Sequence, residues 1–322
     1  MTPVQLPDNV YDVIIIGGGP GGFTAGLYAS RANLNVLLIE GSSSMSQISF
    51  SEHLENYPGF PEGIGGFDLM DRFRNQATKF GVKTVTADVA SLSKSVYIGI
   101  DGWEVNAGSE RFNALSVIIA TGASWRKLGV PGEDKFVGRG ISYCATCDAP
   151  FFKDKDVAVV GGGDTAVQEA IYLANFASKV TIVHRRNRLR ATGILKDRAL
   201  TNGKIEFAWN SLVDEIRGDD SVTSDVVKGV NERGEKRELR VDGVFLFIGL
   251  IPNTGFLLGV ADLDQNGYVI TDPRMNTSAK GLFACGDCRN TPLRQVVTAC
   301  SDGAIAAVAA QLYVEDLKGE AY

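Results

Sequence analysis

The sequence is poor in several residue types that common chemistries need. Its 322 residues include 2 histidines, 3 tryptophans and 4 methionines. With only His53 and His184 there is little room for a His-ligated metal or a serine–histidine triad. There is no block of Lys or Arg, and 32 basic against 38 acidic residues leave a net charge of −6. Nucleic acid and anionic membrane surfaces therefore lack an electrostatic footprint. No uninterrupted apolar run approaches the roughly 20 residues of a membrane span. Residues 1–11 carry no basic group, and the apolar stretch 13–16 runs straight into glycines, so no export signal is read there. Five cysteines in such a chain read as catalytic or inert thiols, not as a structural disulfide framework. The expectation is a soluble, cytoplasmic protein of about two domains.

What is abundant is glycine, 37 residues, well above the usual ~7%. Two glycine clusters sit at strand-to-helix turns. In the first, Tyr11-Asp-Val-Ile-Ile-Ile-Gly17 is a buried-strand pattern. Gly17-Gly-Gly19-Pro20-Gly-Gly22 follows, then helical composition over 25–32 and a second strand over 35–39 that ends at Glu40. G-x-G-x-x-G in this context makes a tight turn, admits a pyrophosphate to the backbone and lets helix and strand pack. The helix N-terminus adds amide donors. Glu40, 18 residues past Gly22, stands where an acid accepts from ribose hydroxyls. Residues 68–80 predict an amphipathic helix, 82–119 a small antiparallel sheet closing with a strand at 116–120, and 301–317 a long last helix.

The pattern restarts about 144 residues on. A strand at 156–160 runs into Gly161-Gly-Gly163-Asp164-Thr165-Ala166, then a helix over 165–176 and a strand over 179–183. This second strand ends not in an acid but in His184-Arg185-Arg186, with Arg188 and Arg190 beyond. Clustered guanidiniums suit a 2′-phosphate where an acid would suit a free 2′-hydroxyl, so NADPH is favoured over NADH. The plainer reading is a solvated basic face at a strand end.

Between the two units lies Cys144-Ala-Thr-Cys147-Asp148. Cysteines two residues apart close a small disulfide and often include one thiol of lowered pKa. Asp148 is placed to move protons during dithiol–disulfide exchange, which needs a thiolate to attack and a proton for the leaving sulfur. Half of a zinc site is the competing reading, but the second pair, Cys285-Gly-Asp-Cys288, lies 138 residues beyond Cys147, outside zinc-ribbon spacing.

These motifs in this order resemble the low-molecular-weight, bacterial-type thioredoxin reductases of the class II pyridine nucleotide-disulfide oxidoreductases. The match includes Glu55-Asn-Tyr-Pro-Gly-Phe-Pro61, Ala120-Thr-Gly122, Ile248-Gly-x-x-Pro-Asn-Thr254, Gly286-Asp287 and Arg294-Gln295. The resemblance implies an α/β fold of two Rossmann-like, three-layer domains, one inserted into the other. An FAD-binding domain would comprise 1–121 and 249–322, and an NADPH-binding domain carrying the redox pair would comprise 122–248. FAD would be held by Gly17, Gly19, Pro20, Gly22, Glu40, Gln47, Asn56, Val89, Thr121, Gly122, Asp287, Arg294 and Gln295. NADPH would be held by Gly161, Gly163, Asp164, Thr165, Ala166, His184, Arg185, Arg186 and Arg190. Cys147 would face the flavin, Cys144 would attack thioredoxin, and Asp148 would be the acid–base residue. The last helix would aim its N-terminus, near Cys300-Ser-Asp302, at the flavin. A homodimer and a rotation between two domain arrangements are implied as well, with hinges near 121–123 and 248–250.

The sequence departs from that family at Met45-Ser46-Gln47-Ile48-Ser49, where two glycines against the flavin are usual; Gln47 is kept. His53, in the same stretch, reads as a bystander. Cys285, Cys288 and Cys300 stand where small or apolar residues are commoner, and read as packing, with a second redox pair as the sharper alternative. Two rival functions remain: a flavin dithiol–disulfide enzyme with another electron route (ferredoxin-linked, or a dithiol oxidase), and a flavin redox sensor without turnover.

Overall fold

Strand Val10–Ile16 is apolar at successive positions because the sheet around it is covered on both faces. Val13 and Ile15 point into a core shared with helices Pro20–Arg31, Gly66–Lys79 and Val296–Lys318. Ile14 and Ile16 point into a second core with Leu92, Trp103 and Val105. Each such side chain, fully withdrawn from water, contributes roughly 1.5–3 kcal/mol. The computed structural model describes residues 9–42, 46–50, 54, 56–230 and 234–319, without the side chains of Phe50, Thr146 and Cys147. Met45, His53 and Glu55, singled out above, lie outside the described residues.

The chain divides into two compact units, Met1–Ser124 with Ile251–Tyr322, and Trp125–Leu250. In the first, one seven-stranded sheet runs Lys83–Thr86, Val36–Glu40, Val10–Ile16, Glu110–Ile119, Ile100–Ala107 and Val89–Tyr97, with Leu282–Ala284 also on Glu110–Ile119. The centre is parallel, with Ile14 opposite Leu37 on one side and Val117 on the other. The antiparallel hairpin Val89–Tyr97/Ile100–Ala107 is not the separate small sheet expected over 82–119. It joins the parallel sheet because Glu110–Ile119 is shared, pairing with Ile100–Ala107 over residues 110–114 and with Val10–Ile16 over residues 113–119.

A second correction concerns the last helix. It begins at Val296, not near residue 301. Gln295 caps it: the Gln295 side chain accepts from the backbone of Thr298, and the Thr298 hydroxyl meets the Gln295 N–H at 3.1 Å. This reciprocal box satisfies amides that would otherwise be orphaned. By length and composition this helix alone among the described residues is long and apolar enough to cross a membrane. Its Ala306, Ala307, Ala310 and Val314 are buried in the core of the first unit, and it ends with Lys318 paired to the buried Asp12 at 2.7 Å.

In the second unit Ile205–Trp209, Lys179–His184, Asp156–Val160, Gly243–Leu246 and Ile141–Ser142 form a five-stranded parallel sheet. Val157, Val159, Ile182 and Phe245 pack under helix Asp164–Leu173, while Ala158, Val160, Val183 and Leu246 pack under the antiparallel meander Ser211–Gly218, Val222–Gly229, Lys236–Arg240. Helix, sheet and meander make three layers. Strand to Gly-turn to helix recurs in both units, which are mixed α/β folds of Rossmann type.

Candidate active site

In the first unit the glycine turn is closed on two sides and open on a third. Gly17 has φ +118°, and a Cβ there would overlap the carbonyl oxygen of Ala120; one on Gly22 would overlap the carbonyl oxygen of Gly17. A Cβ on Gly19 would meet nothing nearer than Ser46 Oγ at 3.7 Å. Gly19 is the N-cap of helix Pro20–Arg31, with Pro20 at the helix start, so free amides and the positive dipole end face that open side. Such an open, glycine-walled helix start fits a pyrophosphate.

Glu40 ends its strand beside this turn, within 2.7 Å of where a Gly18 Cβ would stand. Arg74, a residue that sequence reasoning missed, holds the Glu40 carboxylate by two hydrogen bonds of 2.5 Å. The fork leaves each oxygen a further lone pair for a hydroxyl. Arg74 is positioned by helix Gly66–Lys79 and lies over the Phe23 ring. No local signal marks it, since it is one of several basic residues on that helix.

Gln47 donates through Nε2 to the Ala123 carbonyl, and Asn56 Nδ2 donates to Gln295 Oε1 at 2.9 Å. These bonds bring together segments far apart in the chain. Thr121 Oγ1 and Arg294 Nε are buried with no hydrogen-bond partner, and the Arg294 guanidinium stacks on Tyr268 at 4.2 Å. The Asn253 N–H donates to Gly122 O, which shapes the backbone at Thr121–Gly122. Val89 opens the hairpin and packs, half-buried, on the second core. Asp287 sits in the turn Gly286–Cys288, half-buried and without a hydrogen bond to the described residues; burial, above all, pushes its carboxyl up to about 6. A carboxylate with unused acceptors beside orphaned donors suits a polyhydroxylated ligand.

The helix at Val296 does not start at Cys300. Cys300 lies within 4.0 Å of Tyr57 OH and Pro20 O, and burial raises both its thiol and the Tyr57 phenol, the latter to about 12. Cys285 and Cys288 are buried free thiols in different cores. Cys288 Sγ donates to Cys285 O at 3.2 Å, so the sulfurs serve opposite faces of the sheet. Burial pushes Cys288 to about 11 and Cys285 well up. Buried in separate cores, both thiols fit the packing reading.

In the second unit the two halves of the other cradle are stitched together. Arg190 N–H donates to Gly162 O at 2.6 Å, and Thr192 N–H to Asp164 Oδ1 at 2.6 Å. His184 lies flat against Gly162, where any Cβ would overlap its ring, and stands edge-on to Trp209. Its Nε2 is buried and unpartnered. Burial first, then Arg190, lower its pKa below the ordinary 6.5. A Cβ on Gly163 would meet only Arg190 Nη2, at 3.9 Å, whereas Gly161 and Ala166 are closed against Phe247 and each other. Thr165 is exposed in the first turn of the helix. Arg185, Arg186, Arg188 and Arg190 are exposed, and none pairs with a carboxylate among the described residues. Unpaired guanidiniums beside an open glycine-walled helix start fit a phosphorylated nucleotide.

Cys144 is disulfide-bonded and caps the short helix Ala145–Asp148. Its N–H donates to Ser142 Oγ at 3.0 Å, and the Asp148 N–H bonds Cys144 O at 3.3 Å. Asp148 is half-buried at the end of that turn, and the side chain of Cys147 lies outside the described residues.

Residues 11–303 match the sequence profile of the family described as pyridine nucleotide-disulphide oxidoreductase. A thioredoxin reductase of Bacillus subtilis is 47% identical over 314 residues, covering 97% of each chain. One of Listeria innocua is 47% identical over 311 residues, 97% of this chain and 96% of that one. The solved thioredoxin reductase of Lactococcus lactis superposes with a TM-score of 0.84 at 41% identity, covering 95% of this chain and 99% of that one. With both cradles, the bonded Cys144 and these likenesses in place, the chain belongs to the pyridine nucleotide-disulphide oxidoreductases and, within them, to the thioredoxin reductases.

Proposed function

We propose that this protein reduces the disulfide of a thioredoxin-like protein with electrons from NADPH, through FAD and the Cys144–Cys147 pair. The observation that carries this reading is the state of the cysteines. Cys144 is disulfide-bonded at the head of a short helix, while Cys285, Cys288 and Cys300 are free.

FAD belongs to the first unit and NADPH to the second. When bound, NADPH supplies a hydride and FAD relays the electron pair to a disulfide. Gly17, Gly19, Pro20 and Gly22 receive the flavin nucleotide's pyrophosphate. Glu40 takes ribose hydroxyls, and Asp287 the polyol chain. Gln47, Asn56, Val89, Thr121, Gly122, Arg294 and Gln295 line the remainder. In the second unit Gly161, Gly163, Asp164, Thr165 and Ala166 receive the NADPH pyrophosphate. Arg185, Arg186 and Arg190 take its 2′-phosphate, and His184 walls the cradle against Gly162.

The reduced Cys144 thiolate attacks one sulfur of the partner's disulfide, forming a mixed disulfide and releasing the other sulfur as a thiolate. Asp148 delivers the proton that this sulfur takes up. Cys147 then attacks Cys144, restoring the internal disulfide and freeing the partner's second thiol. Along the C-terminal helix Val297, Ile305, Val308 and Leu312 are exposed at helical spacing, which supports a homodimer covering this stripe. The reading is of a cytoplasmic enzyme.

Anaerobic titration of the purified protein with NADPH, with NADH as control, tests this. Loss of oxidised-flavin absorbance at near-stoichiometric NADPH and not with NADH is expected. Bleaching by neither nucleotide would overturn the reading in favour of a ferredoxin-linked reductase or a dithiol oxidase.

A further inference from the structure

Asp302 lies in the second turn of the C-terminal helix, 8% exposed, and its carboxylate is turned back toward the turn Gly286–Cys288. Asp302 Oδ2 accepts the Gly286 N–H at 3.2 Å and Arg289 Nη1 at 3.0 Å. Arg289, itself half-buried, donates through Nε to Thr271 Oγ1 at 2.8 Å. One carboxylate thus grips the residue before Asp287 and, through Arg289, the turn's exit after it. Gly286 has φ +73°, a conformation with no intrinsic preference to persist, so an external clamp is what holds this turn in one shape.

Burying an ion pair is costly unless its geometry is good and its remaining donors are met. Here the contact is close at 3.0 Å, and each partner has a second hydrogen bond: Arg289 Nε reaches Thr271, and Asp302 takes a backbone amide as well as the guanidinium. Such a pair specifies a geometry more than it adds stability. The group whose geometry it specifies is Asp287, the one residue of this turn with a free carboxylate.

We propose that Asp302 and Arg289 form a positioning pair for Asp287, fixing the turn so that the Asp287 carboxylate is presented to the hydroxyl chain of the flavin. This rests on the reading that the first unit binds FAD. Neither residue is placed against the cofactor, so both act through Asp287.

The charges around Asp287 make the pair separable from a merely structural one. Burial holds the Asp287 carboxyl up near 6; Arg294 opposes that and Asp302 reinforces it. The neighbouring Cys285, Cys288 and Cys300 have raised pKa values and are neutral near pH 6. An ionised Asp287 accepts more hydroxyl hydrogen bonds than a protonated one, so FAD affinity should fall as pH drops through this range. Asp302→Asn removes the charge that reinforces Asp287 and leaves Arg289 unpaired beside it. Both changes favour the carboxylate and move the acid limb of FAD binding to lower pH. Arg289→Gln leaves Asp302 anionic and unpaired, and moves the limb to higher pH.

The experiment is FAD binding to flavin-stripped full-length protein, wild type and the two variants, from pH 5 to 8, followed by quenching of free-FAD fluorescence. At pH 7.5 each variant should bind FAD roughly tenfold more weakly, the worth of one charge-assisted hydrogen bond, and the acid limbs should move in opposite directions. Equal weakening at every pH, or limbs that stay together, would overturn the proposal. If Asp302→Asn does not fold, the upward shift in Arg289→Gln decides it. A wild-type protein that takes up no FAD would overturn the cofactor reading first, whereas wild-type binding with unaltered variants would overturn only the pair.

Discussion

Gly303, early in the C-terminal helix, faces the carbonyl oxygen of Gly21 so closely that a Cβ on Gly303 would overlap it. Gly21, in the first turn of helix Pro20–Arg31, has slightly more room: a Cβ there would stand 3.1 Å from Ala299 O and 3.3 Å from Cys285 Sγ. The two helices therefore touch backbone to backbone near their starts, which sets both positive ends beside the turn that carries Asp287. Backbone atoms cannot yield as a flexible side chain can. Gly303→Ala should cost on the order of 3 kcal/mol and Gly21→Ala about 1 kcal/mol, within the range for overpacking. Chemical denaturation of the two variants, with visible-region circular dichroism of the flavin alongside, checks this. Equal or reversed costs would mean that the helices part freely.

The two glycine turns were legible because strand, turn and helix are contiguous in sequence, and Asp156–Val160 occupies the residues its pattern predicts. What lay hidden was made by distant segments. Arg74 meets Glu40 and Arg289 meets Asp302 only once helices have packed, and nothing local distinguishes them from other surface charges. The start of the last helix was misplaced because its cap is Gln295, outside the usual Ser, Thr, Asp and Asn set, and its partner Thr298 reverses the familiar order of the box. The hairpin Val89–Tyr97/Ile100–Ala107 looked self-contained because register between it and a parallel strand leaves no trace in a two-residue alternation.

In the proposed function Arg185, Arg186 and Arg190 take the 2′-phosphate, and so set nucleotide choice. Replacing Arg185 and Arg186 together by Ala should raise KM for NADPH by on the order of a hundredfold, two charge-assisted contacts at about tenfold each. KM for NADH and kcat should change little, because only one nucleotide carries the 2′-phosphate. Steady-state kinetics with both nucleotides decides it. A parallel loss for NADH would assign the arginines to overall folding of the loop.

His184 should make the second unit acid-sensitive. Burial, chiefly, and then Arg190 depress its pKa in the fold below the ordinary 6.5. The unfolded chain therefore takes up a proton first as pH falls. The stability that neutral His184 contributes is complete above about pH 6.5 and is lost as pH falls through the depressed value. His184→Phe keeps a flat ring against Gly162 and Trp209 without a titrating group. Its midpoint of denaturation should fall less steeply than that of the wild type between pH 6.5 and 5. Identical slopes would remove His184 as the cause.

Asp225 carries the opposite sign. It lies fully buried in the meander strand Val222–Gly229, opposite Ile216 and Leu239, with both carboxylate oxygens unpartnered. Burial alone pushes its carboxyl from 3.8 up to about 7. The folded state thus holds a proton that the unfolded state has released, and the stability this contributes is full below about pH 3.8 and lost as pH rises through 7. Replacing the carboxyl by an apolar group of similar size removes both the ionisation and the orphaned acceptors. Asp225→Val should therefore raise the denaturation midpoint more at pH 8 than at pH 5. The difference in stability gain between the two conditions should be on the order of 3 kcal/mol, since one pKa unit corresponds to about 1.4 kcal/mol and roughly two pH units separate pH 5 from the folded-state value. A gain that is the same at both pH values would mean that Asp225 finds a proton-independent way to be buried.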